Sequence, residues 1–409
     1  MNDQSETMKK SLLQCLYLIL VAILLIVAGC SFNKNWQGTW STAPQLVEPG
    51  NMPPEPGLSG NTLRQVVCVS VGGDKLRFRF SNEFSKDPVQ ILLVSVAHSL
   101  GNGKIDPATG TLLKFKGLNE TILKPGTTLL SDPVEFALEP RMELAITIAF
   151  GKVPEEITGH PGSRTTSYLL EGNEVTNIDF SEALKTDHWY FINGIDVQAK
   201  KTAGAIAVLG NSITDGRGSV TNMQNRWPDI LAQRLLGNKK TTNISVLNMG
   251  IGGNCVLRGG LGPNGISRFE RDILNQSAVQ WLIILEGVND LGNTQSREEA
   301  LKVAKELIEA YDDMIELAHE KGIRVFGATI TPIKQSFYYT DYREEARNIV
   351  NNWIRTSGRY DAVIDFDKVL NDPKIPGVIC TDLQSGDFLH PNETGYQKMG
   401  ESINLELFE

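Results

Sequence analysis

Cysteine, histidine and basic clusters are all scarce in this chain. Five cysteines are spread over 409 residues, at Cys15, Cys30, Cys68, Cys255 and Cys380. None of their spacings matches a metal site, so no metal is expected. Only three lie beyond residue 30, an odd set that argues against a disulfide framework. Buried free thiols are the expected state, with one disulfide left open. No basic run follows the N-terminal region, and the net charge is −9. Nucleic acid is therefore not an expected partner, and neither is electrostatic adhesion to anionic lipid. Hydrophobic content of 41% and charged content of 21% are those of an ordinary globular protein. The length suits two domains better than one.

There is a single long apolar run, over residues 12–27, preceded by Lys9 and Lys10 and ending in Val27-Ala28-Gly29-Cys30. A short positive region, an apolar run and a small-residue ending describe a targeting segment rather than part of the fold. The ending resembles a bacterial lipoprotein signal, which would make Cys30 the lipidated N-terminus of the mature protein. An uncleaved membrane anchor is the alternative, because about 17–25 residues suffice to span a bilayer. Both place the body outside the cytoplasm. Ser31 follows the cysteine, so no aspartate is there to suggest inner-membrane retention.

From about residue 36 to 200 the pattern is one of strands. Residues 75–80 alternate apolar and basic with period two, and residues 89–97 and 144–150 are β-branched runs. Glycine and proline turns separate them, at Gly72-Gly73-Asp74, Gly101-Asn102-Gly103 and Pro125-Gly126. Many short strands without a long helix predict an all-β sandwich, jelly-roll-like. From about residue 203 the pattern changes. Short buried strands are expected at 205–209, 244–247, 281–285, 325–328 and 362–366, with helices such as 298–319 and 342–356 between them. Strands alternating with helices imply a parallel sheet covered on both faces, whose ligands bind at the carboxyl ends of the strands. The expected domains are 31–200 and 201–409, after a signal at 1–30.

The candidate chemistry lies just after those strands. Gly210-Asn211-Ser212-Ile213-Thr214-Asp215-Gly216 follows the first of them. A serine on such a turn can offer its hydroxyl to a cleft and its N–H to an oxyanion, although serine is also a common helix cap. The turn also resembles a phosphate-cradling loop, but lacks the lysine that the Walker pattern requires. Asn248-Met249-Gly250-Ile251-Gly252-Gly253-Asn254 is a glycine loop that lets backbone N–H groups approach a ligand, or else an ordinary strand-to-helix turn. In Glu286-Gly287-Val288-Asn289-Asp290, Asn289 can donate its amide to a developing oxyanion, or serve as a cap. Near the C-terminus, Asp387-Phe388-Leu389-His390-Pro391 places an acid three residues before a histidine, close enough to orient its ring. Alone that histidine would more often be solvated or core. Together these loops supply a nucleophile, three oxyanion donors and an oriented base, which is what acyl transfer requires.

These four motifs, in this order, resemble the SGNH (GDSL) hydrolase family over about residues 203–409. The resemblance implies a flavodoxin-like α/β sheet and esterase activity without metal or organic cofactor. It assigns Ser212 as nucleophile, His390 as general base and Asp387 as the acid orienting it. Its oxyanion donors are the Ser212 N–H, the Gly253 N–H and the Asn289 side chain. The opening Trp36-Gln37-Gly38-Thr39-Trp40-Ser41-Thr42-Ala43-Pro44, residues 327–332 and residues 347–355 are similar to a secreted two-domain branch with a β-rich leader. One position departs from the pattern: the family usually has aspartate before the serine, and this chain has Asn211. The amide keeps similar hydrogen bonds and loses a charge. The implied function is envelope esterase chemistry on a small ester or an acylated glycan, with a lipid anchor at Cys30 as the membrane contact. A lipase or lysophospholipase and a non-catalytic glycan-binding lipoprotein are the alternatives. Whether the β-rich half holds glycan or only frames the cleft is left open.

Overall fold

The computed structural model describes residues 36–198 and 204–409. The expected signal segment, Cys30 and the expected boundary at 200/201 lie outside the described residues. Residues from Trp36 onward form one compact unit.

The first part is a sandwich of antiparallel sheets. One has the strand order Trp36–Ser41, Ile192–Gln198, Gly73–Ser81, Val134–Leu138, with Thr128–Leu130 alongside Gly73–Ser81. The other centres on Thr62–Cys68, Glu143–Phe150 and Val89–Gly101. Their inner faces share one core, to which Leu76, Phe78 and Phe80 contribute from the first sheet and Leu63, Val94, Ile146 and Ile148 from the second. The alternation at 75–80 thus points its apolar set inward, as the strand period requires. Of its basic set, Lys75 pairs with Glu135 in the same sheet, while Arg77 and Arg79 face the second part of the chain. Arg77 and Arg79 both reach Asp196, at 2.8 and 3.2 Å, and Arg79 donates to Gln276 at 2.8 Å.

The second part is a parallel sheet of β1 (Ala205–Gly210), β2 (Ser245–Gly250), β3 (Val279–Leu285), β4 (Arg324–Ala328) and β5 (Ala362–Ile364). Their spatial order is β2-β1-β3-β4-β5, all in parallel register. That order reverses direction beside β1, which is the switch point where doubly wound sheets bind ligands. The helices are α1 (Ser212–Asp215), α2 (Trp227–Gly237), α3 (Gly265–Phe269), α4 (Val288–Gly292), α5 (Arg297–Glu320), α6 (Asp341–Thr356), α7 (Phe366–Leu370) and α8 (Glu393–Ser402). Two apolar clusters, one on each face, sandwich the sheet: Ala207, Leu209, Leu282 and Ile284 pack on one side, Ile206, Val208, Trp281 and Ile283 on the other. In α5 the Ser296 side chain caps the Glu299 N–H, and Ala300, Ala304, Leu307, Tyr311 and Ile315 form the buried stripe.

Strand boundaries differ from expectation by one to three residues, and two of these differences have a clear local cause or consequence. β5 ends at Ile364, because Asp365 caps α7 and Phe366 is already helical. β2 runs through Gly250, so the glycine loop begins only at Ile251. Cys68, Cys255 and Cys380 are free thiols, Cys255 buried and the others half-buried.

The opening strand of the sandwich docks on the parallel sheet. Gln37 Nε2 donates to Gly204 O at 2.7 Å and to Asn243 O at 2.9 Å, and the Gly38 N–H donates to Ser277 O at 3.0 Å. A Cβ on Gly38 would sit 2.8 Å from Leu247 Cδ1, so glycine permits this close approach. Val246 N donates to Ser70 Oγ at 2.9 Å. Among the described residues no helix is long and apolar enough to cross a membrane.

Candidate active site

The first three strand ends and the C-terminal loop converge on one cleft of about 410 Å³, lined among others by Ser212, Gly252, Gly253, Asn289 and His390. Ser212 is the first residue of α1. The cap position belongs to Asn211, whose Oδ1 accepts the Ile213 N–H at 3.0 Å. The capping alternative for the serine is thereby taken up by its neighbour, and the Ser212 hydroxyl is free for other work. Its Oγ lies 2.8 Å from His390 Nε2, and His390 Nδ1 lies 2.7 Å from Asp387 Oδ2.

The loop that carries this pair is shaped by its own acid. Asp387 Oδ1 accepts the main-chain N–H of His390 at 2.9 Å and of Leu389 at 3.0 Å. Between them Phe388 takes a left-handed φ of 53°, next to Gly386 at 110°. Burial alone would raise the Asp387 carboxyl. The His390 ring and the two N–H donors outweigh it and hold the group below its ordinary range. For His390 burial is the main influence and lowers its pKa, opposed by Asp387 and assisted by the charges of Arg217 and Arg164. A neutral imidazole facing a hydroxyl, with its other nitrogen bound to a carboxylate, is arranged to accept a proton.

The oxyanion side is built by the glycine loop and α4. Gly253 has a φ of 71°, the left-handed region that favours glycine. The N–H groups of Ser212, Gly252 and Gly253 donate to no protein acceptor among the described residues. Asn289 follows the helix cap at Gly287 rather than serving as a cap itself. Its Nδ2 donates to Asn254 O at 2.7 Å and its Oδ1 accepts the Tyr338 hydroxyl at 3.0 Å. These two bonds fix the orientation of the amide and leave one N–H uncommitted. The adjacent Asp290 clamps the same loop by accepting the N–H groups of Val256 and Leu257, both at 2.9 Å.

With the geometry in place, comparison with known proteins decides the family. Residues 208–398 match the model of the GDSL-like lipase/acylhydrolase family. This part of the chain belongs to that family. With the GDSL-like domain the chain is an ester hydrolase. No curated protein matches. Among solved structures, a protein assigned as lipolytic in the G-D-S-L family from Desulfitobacterium hafniense DCB-2 is 24% identical, over 49% of this chain and 97% of its own, with a TM-score of 0.38. The lipase/acylhydrolase from Enterococcus faecalis is 20% identical, over 50% of this chain and 95% of its own, with a TM-score of 0.39. A GDSL-like lipase from Bacteroides thetaiotaomicron VPI-5482 is 18% identical, over 50% and 88%, with a TM-score of 0.37.

Several residues at the GDSL-like site carried no sequence signal. The sandwich contributes part of the cleft wall, including Gln45, Glu48, Arg164 and His188. His160 Nε2 lies 2.9 Å from Asp215 Oδ1 on α1, and its Nδ1 lies 2.9 Å from Ala43 O. This contact ties the sandwich to the segment bearing the nucleophile. The β-rich half therefore frames the cleft directly. Arg268 is fully buried and bonds Gly210 O, Met249 O and Asn254 Oδ1, at 3.1, 2.6 and 2.9 Å, holding two strand ends and the glycine loop together.

The Asn211 departure has a neighbour that explains its tolerance. Asn211 Nδ2 donates to Glu286 Oε2 at 3.2 Å, and Glu286 is buried. Burial pushes the Glu286 carboxyl up to about 8, outweighing the Arg268 guanidinium at 3.7 Å. The amide donates to this carboxyl without adding a second ionisable acid to the buried pair. The folded protein holds this proton up to about pH 8, while an unfolded glutamate releases it above 4.5. Stability from this group is thus highest below the unfolded value and declines as pH rises across that window. The loss is on the order of a few kcal/mol. Thermal midpoints between pH 5 and 8 should fall less steeply in Glu286→Gln than in the parent. Identical slopes would show that Glu286 does not hold the proton.

Proposed function

We propose that this protein is a serine esterase of the bacterial cell envelope that removes acetyl or other short acyl groups from a carbohydrate. The observation that carries the mechanism is the relay from Ser212 Oγ to His390 Nε2 at 2.8 Å and from His390 Nδ1 to Asp387 at 2.7 Å. His390 takes the Ser212 proton as Oγ attacks the ester carbonyl. The negative oxygen is met by the Ser212 N–H, the Gly253 N–H and the Asn289 amide. His390 then protonates the departing alcohol, and a water activated by the same ring releases the acid and restores the serine. Asp387 keeps the ring in one tautomer throughout.

The character of the cleft supports a polar alcohol. Gln45, Asn51, Arg164, His188 and Arg217 line it, interspersed with the apolar surfaces of Pro161, Leu261, Phe337, Tyr338 and Leu389. A long acyl chain would need a continuous apolar trough to bury its methylenes, at about 0.8 kcal/mol each. The lipid anchor at Cys30 and the envelope location rest on the residues preceding that cysteine, in accord with an extracytoplasmic glycan as substrate. Turnover of p-nitrophenyl esters by the soluble body tests the reading. Acetate should be favoured over octanoate by about tenfold or more in kcat/KM, because each methylene without an apolar partner forfeits its transfer free energy. A preference for octanoate would identify a lipase instead.

A further inference from the structure

Two arginines on the cleft wall have no task in the reaction just described. Arg217 follows α1 and is exposed, and its main chain is fixed at both ends: its N–H donates to Ser212 O at 2.9 Å, and its carbonyl accepts the Tyr396 hydroxyl at 2.6 Å. Its guanidinium makes no ion pair or side-chain hydrogen bond among the described residues. Arg164 comes from the sandwich, on a turn held in a left-handed φ of 52°. A non-glycine residue is strained there, so surrounding contacts must impose it. Those contacts are present. Asn222 N donates to Arg164 O at 2.9 Å, Gln224 Nε2 donates to Thr165 Oγ1 at 3.2 Å, and His160 engages Asp215 at 2.9 Å. A Cβ on Gly162 would lie 1.9 Å from Asp215 Oδ2, so the turn is seated hard against α1.

This seat leaves Arg164 short of partners. Its Nε is buried without a hydrogen-bond partner among the described residues. Its Nη2 is 3.8 Å from Asp215 Oδ2, beyond hydrogen-bond reach, while the other oxygen of that carboxylate is taken by His160. The remaining acid on the wall, Glu48, accepts from Gln45 at 2.7 Å and from Asn51 at 3.0 Å. Both guanidiniums act on the His390 ring, pushing its pKa in the same direction as burial. A protein of net charge −9 thus places two under-used positive groups beside its reactive histidine.

We propose that Arg164 and Arg217 bind an anionic group on the alcohol portion of the substrate, so that the esters cleaved are those of an acidic glycan, carboxylated or sulfated, rather than a neutral one. Guanidinium forks pair with planar oxyanions through charge-assisted bonds, which is the recognition Arg164 lacks among its protein neighbours. The proposal rests on the esterase reading for turnover but not for binding.

Binding and turnover are therefore measured separately. Calorimetry on Ser212→Ala, which cannot consume substrate, compares trigalacturonate with a neutral xylotriose, and a sulfated trisaccharide separates sulfate from carboxylate. The acidic ligands should bind about tenfold more tightly than the neutral one at low salt, and adding Arg164→Gln or Arg217→Gln should each remove about threefold of that difference. Arg217 is exposed, so its variant also serves if Arg164→Gln fails to fold. In the active protein, acetate release from acetylated polygalacturonate against acetylated xylan should show the same preference, expressed in KM. Equal affinity for acidic and neutral glycans, or a preference that survives both substitutions, overturns the proposal. Acidic-glycan binding lost with the arginines, but without acetate release from any ester, would uphold the arginine site while rejecting the esterase reading.

Discussion

Ser212→Ala should lower kcat/KM for p-nitrophenyl acetate at least about 10⁴-fold, and His390→Ala by a similar factor. The expectation follows from the 2.8 Å contact between Ser212 Oγ and His390 Nε2, which makes the two groups one functional unit. Their double variant should therefore be no worse than either single one. The fold has little stake in the hydroxyl. Asn211 caps α1, so alanine at 212 leaves the helix start intact. Thermal midpoints should agree closely between parent and variant, and a fluorophosphonate probe should label the parent alone. Turnover above about 1% of the parent in either variant would remove Ser212 and His390 from their roles. The pH profile supplies a second readout. His390 must be neutral to act as base, and its pKa lies below its ordinary 6.5 because the ring is buried. The acid limb of kcat/KM should accordingly fall below pH 6.5. Asp387→Asn removes the charge that opposes the lowering, while burial, Arg217 and Arg164 remain. The limb should then move further toward acid, as kcat drops by about 10⁴ through loss of the correct tautomer. A limb displaced toward alkaline pH would mean that Asp387 does not govern this ring.

What the sequence disclosed, and what it withheld, divides along a physical line. Local pattern was legible. Alternation at Leu76, Phe78 and Phe80 marked a strand with one face in the core, and the stripe from Ala300 to Ile315 marked α5. The motif loops were legible because each lies just after a buried strand, and a parallel sheet gathers such loops at one edge. Contacts between residues far apart in the chain left no trace in local pattern. His160 sits in a three-residue strand and meets Asp215 fifty-five positions away. Pro161-Gly162 announce a turn, but not that Arg164 itself takes the left-handed φ within it. Tyr338 reaches Asn289 from forty-nine residues downstream. Only tertiary packing determines such pairings, so periodicity cannot show them. The strand ends were misread for a related reason. Asp365 and Phe366 look like the continuation of an apolar run, but the aspartate caps a helix and ends the strand before them.

Asn289→Ala should reduce kcat by about 10²–10³, or roughly 3–4 kcal/mol of barrier, with KM for p-nitrophenyl acetate little changed. An amide aimed at the place where charge develops contributes more in the transition state than in the ground state, which confines the loss to kcat. The substitution also deletes the 2.7 Å bond from Nδ2 to Asn254 O, which steadies the glycine loop carrying Gly253. Two further variants separate these contributions. Tyr338→Phe leaves the donor and the loop bond in place but removes the hydroxyl that fixes the amide through Oδ1 at 3.0 Å. It should cost only about tenfold in kcat, as expected for looser positioning of a donor that is still present. If Tyr338 acts solely by holding Asn289, adding Tyr338→Phe to Asn289→Ala should change nothing further, because the group it orients is gone. Tyr338 also lines the cleft, so a double variant much slower than Asn289→Ala would assign the tyrosine a contact with substrate of its own. A rise in KM with kcat intact in Asn289→Ala would instead mark the amide as a ground-state binding group and leave the oxyanion to the backbone N–H groups of Ser212 and Gly253.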